Sequence, residues 1–216
     1  MTFTLLLLST ILPWAAPAFA GPVYDDINGS CEDFNDVIKT RGLKDPAGNS
    51  HPGTLGWTLC QFKASSNGTQ VPVTRSTKDG RPCLSIEMGK VELTADVTVV
   101  VARWSTDLSH ARDSCRKELA RIDSDIRAHE SHHVDDCKTI INEEKAAWAE
   151  HAHIVIVCDN GSKTEAAMLA TLQSKAGDEL HAILNHMNHE MEYRSKETHE
   201  KIGYGTLGIR CGECSN

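Results

Sequence analysis

Within the segment Arg127-Ala-His-Glu-Ser-His-His-Val-Asp-Asp136, three residues, His129, Glu130 and His133, form the pattern H-E-x-x-H. On an α-helix, positions i and i+4 stand one turn apart on one face, so both imidazoles can reach a single metal ion. Glu130 lies beside them and can address a water on that ion. Two neutral imidazoles, a third protein ligand and an open position make a hydrolytic zinc site in which the neighbouring carboxylate is the general base. The opposing reading is a solvated helix face that matches by accident, in a chain with 11 histidines.

The periodicity around the motif separates the two readings. A helix start is signalled at Ser105-Thr-Asp107, with Ser105 or Thr106 as N-cap. Leu108, Ala111, Cys115, Leu119, Ile122 and Ile126 then recur every three or four residues, as the apolar stripe of an amphipathic helix does. The next members of the stripe are His129 and His133, followed by Ile140 and Ile141. An accidental motif on a surface helix points at water, whereas these two histidines face the core. Buried there, they need partners, and a metal supplies them. His132 falls off the stripe and is expected to be exposed. The helix is expected to run to about Glu150, with His151–Cys158 as its frayed end or a short connecting strand. A capping box, Ser162-Lys-Thr-Glu165, opens a second long helix. Its stripe runs through Ala166, Leu169, Leu172 or Gln173, Ala176, Leu180, Ile183, Met187 and Met191, and Gly203-Tyr-Gly205 ends it.

A longer metzincin pattern, H-E-x-x-H-x-x-G-x-x-H, is excluded, because Asp136 and Thr139 occupy the required Gly and His positions. Asp136 and Cys137 share the helix with His129 and are carried away from a metal held by i and i+4. The third ligand must therefore come from the second long helix or just after it. The candidates are His181, His186, His189, Glu190, Glu192 and His199.

Before the helices the chain reads as β-structure. A turn at Asn28-Gly29 and a short helix from Cys31 to Thr40, closed by Arg41-Gly42, precede strand-like segments at Thr54–Phe62, Cys83–Leu93 and Asp96–Trp104. The expected class is α+β, a small N-terminal antiparallel β-sheet packed on two long α-helices, the first carrying H-E-x-x-H. Residues 1–20 read as a signal peptide, an apolar run closed by Ala18-Phe-Ala20, although no Lys or Arg precedes it. A single domain follows over 21–216, mainly β over 21–104, mainly helical over 105–203, with a cysteine-bearing tail over 204–216. N-x-S/T sites at Asn28, Asn67 and Asn160 lie in expected turns.

The expected location is exported, periplasmic or extracellular. All 8 cysteines (31, 60, 83, 115, 137, 158, 211 and 214) lie beyond residue 20, so disulfides are the default reading. Cys115 and Cys137, roughly 33 Å apart along one helix, cannot pair with each other. Cys211-Gly-Glu-Cys214 is expected to be disulfide-bonded rather than a zinc or redox pair. A formal net charge of -8 argues against a nucleic-acid partner, and no stretch after the leader has the length of a membrane span.

Across this frame the chain resembles the bacterial domain-of-unknown-function family described as predicted secreted zinc-dependent proteases. The matching segments are Tyr24, Thr54-Leu-Gly-Trp57, the Cys83-led strand pair ending at Val101-Ala-Arg-Trp104, and Ala128-His-Glu-Ser-His-His133. The family also has a late Tyr-Asp-x-x-Thr-x-His-Gly segment, whose counterpart is Tyr193-Arg-Ser-Lys-Glu-Thr-His199-Glu200. The Tyr-to-His spacing is kept, while Arg194, Glu197 and Glu200 replace Asp, Thr and Gly. The resemblance implies His199 as the third ligand.

The resulting expectation is a zinc peptidase acting on a peptide or protein. His129, His133 and His199 hold Zn2+, Glu130 is the general base, and Tyr193 or Tyr204 donates to the oxyanion. The competing expectation is a non-catalytic or structural protein of the cell envelope that holds zinc, copper or nickel on its histidines. A third is a disulfide-stapled domain without metal.

Overall fold

The structure is a computed structural model that describes residues 4–5, 22–66, 71–89, 91–109, 111–159, 161, 164–202 and 208–214. The signal-peptide assignment (apart from residues 4–5), Ser162 of the expected capping box, Asn67, Asn160 and Tyr204 lie outside these residues. The class is mixed α and β, as expected. In order, the elements are β1 (Thr4–Leu5), β2 (Val23–Ile27), α1 (Cys31–Thr40), β3 (Leu43–Lys44), β4 (Ser50–His51), β5 (Gly56–Ser66) and β6 (Val71–Pro72). They continue with β7 (Thr74–Lys78), β8 (Arg81–Glu87), β9 (Val91–Trp104), α2 (Asp113–Ala149), β10 (Ile154–Cys158), α3 (Glu165–Ile202) and a short 3-10 turn at Cys211–Glu213.

The chain divides into two compact units, one of Met1–Ala16, Phe62–Ala95 and Thr139–Glu190, the other of Pro17–Gln61, Asp96–Lys138 and Met191–Asn216. In the first unit, β10, β8 and β7 form an antiparallel sheet in that order. Cys83 and Cys158 stand directly opposite each other in its register and are joined by a disulfide. The α3 residues of this unit bury Met168, Leu172, Ala176, Ile183 and Met187, a stripe at helical spacing. At the start of α3 the Thr164 hydroxyl accepts the Ala167 N–H. β1 and β6 form a two-residue antiparallel pair.

The second unit is built on a sheet of order β2-β9-β5. Here the expected antiparallel sheet differs in detail, because β2 runs parallel to β9, with Val23 opposite Val100 and Ile27 opposite Trp104. Against β2 and β9 pack Phe34 and Ile38 of α1 and Ile122 and Ile126 of α2, together with Leu43, Leu55 and Ile209. α1 is opened by a reciprocal capping box: Ser30 Oγ accepts the Asp33 N–H at 3.1 Å, and Asp33 Oδ2 accepts the Ser30 N–H at 2.8 Å. Gly42, at φ +68°, follows the helix, and a Cβ there would lie 1.5 Å from the His51 carbonyl oxygen. Only glycine fits that turn.

The first long helix starts at Asp113 rather than at Ser105. Residues 105–109 have other bonding: the Ser105 N–H donates to the Ile27 carbonyl, extending the β2 edge, and the Asp107 carboxylate accepts the Ser109 N–H. That local bond is the usual way Asp competes with a helix. Leu108 and Ala111 therefore leave the expected stripe, which otherwise stands: Cys115, Ile122, Ile126, His129, His133 and Ile140 are buried, and His132 is exposed.

Every cysteine is in a disulfide, and both cysteines of the first long helix find partners outside it. Cys60 joins Cys137, Cys31 joins Cys211 and Cys115 joins Cys214. The C-x-x-C residues thus pair with different elements and staple the tail to the first residue of α1 and to the third residue of α2. The tail is further fixed by Asn35, whose side chain bonds both the N–H and the carbonyl of Ile209, and by Glu118, which accepts the Arg210 N–H at 3.0 Å. The buried Glu118 carboxyl is held down to about 2 by its paired hydrogen bonds from Arg121. Four disulfides fit folding in an oxidising, exported setting. Among the described residues no helix is long and apolar enough to cross a membrane.

Candidate metal centre

The centre lies in the second unit, where α2 carries His129, Glu130 and His133 and the end of α3 carries His199. Because i and i+4 share a face, His129 and His133 present their rings together, and their Nε2 atoms lie 3.2 Å apart. His199 Nε2 lies 3.1 Å from His133 Nε2. The His129 and His199 rings are stacked at an interplanar angle of 10°, and His133 stands edge-on to both, at 76° and 84°. The ligand atoms all lie within 4.8 Å of one another, and this is the one such group of three among the described residues.

The geometry and the protonation states both fit a metal ion. Zinc–nitrogen bonds of about 2.0–2.1 Å at tetrahedral angles place ligand nitrogens about 3.3 Å apart, close to the two separations found. His129 and His133 are buried, at 6% and 4% exposure. Burial lowers the pKa of His129 below its ordinary 6.5, with His199 and His132 adding to the effect. Burial, with His129, His199 and His132 as neighbours, brings His133 down to about 4. His199 is exposed as a residue, yet burial of its ring lowers it as well. All three are neutral at pH 7, the form that offers a lone pair to a metal. Among the described residues the Nδ1 of His133 is buried without a hydrogen-bond partner.

Glu130, adjacent to His129, is 2% exposed. Burial raises its carboxyl to about 7, against a smaller opposing effect of the Thr58 hydroxyl, which donates to Oε2 at 2.7 Å. A carboxyl near neutrality can both take and return a proton. Thr58 lies on β5, as does Gly56, where a Cβ would sit 2.5 Å from Glu130 Oε1. Neither is marked as a site residue by the sequence alone. Their spacing of two on a strand puts both on one face, but nothing in sequence ties that face to a helix residue more than 70 positions later.

Tyr193 is 58% exposed and its hydroxyl donates to Glu197 on the same helix at 3.5 Å; it is not part of the histidine group. The other candidate ligands are also elsewhere: His181, His186, His189 and Glu192 are exposed, and His186 Nδ1 lies 3.1 Å from Glu144. Tyr24, the first landmark of the resemblance, is hydrogen-bonded by Arg127 and covered by the Arg103 guanidinium, 4.2 Å from its ring centre. Comparison with known proteins finds no protein-family model, no curated protein and no solved structure that matches this chain.

Proposed function

We propose that the chain is an exported zinc-dependent peptidase of the H-E-x-x-H type, related to the secreted zinc-dependent proteases whose motif segments it resembles. One observation carries the reading: three neutral imidazoles from two helices aim Nε2 at a common point, with a buried carboxylate at the position next to the first of them. Zinc, once bound there, supplies a Lewis acid that polarises a peptide carbonyl and acidifies water. His129, His133 and His199 hold the ion. Glu130 takes the proton from the attacking water and passes it to the nitrogen of the leaving amine as the C–N bond breaks. Burial supports that role, because in the metal-free chain it raises the Glu130 carboxyl to about 7. An oxyanion role for Tyr193 requires its side chain to leave Glu197.

Removal of the metal tests this directly. Treatment with a chelator should abolish cleavage of a mixed fluorogenic peptide substrate, and one equivalent of zinc should restore it. Cleavage that persists in chelated, metal-free protein would refute the reading.

A further inference from the structure

Two residues outside the H-E-x-x-H motif meet the general base. Gly56 and Thr58 stand two apart on β5 and so face the same way. Gly56 comes so close that any side chain there would collide with Glu130 and with Ile126. Thr58 holds Oε2 through a 2.7 Å hydrogen bond. The last torsion of a glutamate is broad and roughly two-fold, so a buried carboxylate with no anchor samples many orientations. We propose that Thr58 is the positioning residue of Glu130: its hydroxyl ties Oε2 to the strand and so fixes that torsion and the direction in which the carboxylate is presented. The assignment rests on the peptidase reading and extends the base from one helix residue to a helix–strand pair.

Thr58→Val replaces the hydroxyl by a methyl group of similar size, and Thr58→Ser keeps the hydroxyl. In the zinc-loaded protein, Thr58→Val should lower kcat by about 10- to 100-fold, with KM and zinc content unchanged, and Thr58→Ser should restore most of it. A second readout is independent of turnover. The infrared carboxyl band of Glu130, isolated by subtracting the spectrum of Glu130→Gln, should shift and broaden in Thr58→Val and keep its wild-type form in Thr58→Ser. If wild-type protein is active and Thr58→Val matches its kcat, or the band is unmoved, the positioning role falls and the peptidase reading stands. If wild-type protein loaded with zinc cleaves no peptide, both fall together.

Discussion

Glu130→Gln should keep its zinc, lose about 100- to 10,000-fold in peptide hydrolysis, and fold more stably than the wild type once metal is removed. The first two effects separate ligand from base: Glu130 is not one of the three converging residues, so an amide in its place leaves the histidines intact but cannot take a proton. The third effect follows from its environment. The buried carboxyl titrates at about 7 in the folded chain against 4.5 for an ordinary glutamate. Above pH 7 both folded and unfolded chains carry the charge, and burying it costs the folded chain about 3 kcal/mol. Between pH 7 and 4.5 the folded chain binds a proton that the unfolded chain does not, so this cost fades as pH falls. Below 4.5 it is gone. Urea unfolding of the two metal-free proteins should therefore show a gap of up to about 3 kcal/mol at pH 8 that closes by pH 4. The depressed histidines act in the opposite sense but are common to both proteins and cancel in the difference. A gap that is absent at pH 8, or that widens in acid, would contradict the burial account of Glu130.

Gly56→Ala should be the most damaging single methyl added near the site. Its Cβ would stand 2.5 Å from Glu130 Oε1, 2.6 Å from Ile126 Cγ2 and 2.8 Å from Glu130 Cγ. A flexible side-chain end can usually retreat cheaply, but here the carboxylate is buried and tied to Thr58, and Ile126 is packed in the core. Overpacking of this kind costs about 1–3 kcal/mol, and the displaced base should lower hydrolysis as well. In a Glu130→Ala background much of the penalty should vanish, because two of the three close atoms are gone; a double-mutant cycle on urea midpoints measures that coupling. Gly177 in α3 provides the contrast, since a Cβ there meets nothing within 4 Å. Gly177→Ala should stabilise the helix by about 1 kcal/mol. Equal effects at the two glycines would contradict the close approach of β5 to the base.

The parts of the fold legible in sequence are those written in local periodicity. The buried stripe from Cys115 through Ile126 into His129 and His133 is readable because a helix repeats on itself. Its start is not legible there, because Ser105-Thr-Asp107 has the chemistry of a cap and Leu108 is in phase, while the bonds that claim Ser105 and Ser109 come from the Ile27 carbonyl and from the Asp107 side chain. The parallel pairing of β2 with β9 joins residues 77 positions apart, as Val23 and Val100 are, and no local pattern encodes a partner at that distance. β7 is exposed along its whole length and polar, so it lacks the alternation by which a strand is recognised. At the site, His129, Glu130 and His133 were visible as a motif. His199 was one of six candidates on periodicity, singled out by the late Tyr-to-His segment, and its side chain meets the pair on α2. Thr58 could not be found, because a threonine in a strand carries no mark of the carboxylate it will hold.

Metal stoichiometry tests the central claim most directly. Protein loaded with excess zinc and dialysed should retain one zinc per chain by elemental analysis, and His129→Ala, His133→Ala and His199→Ala should each retain none while still forming their disulfides. A wild-type protein that retains no metal, or several ions that survive His129→Ala, would contradict a single three-histidine centre.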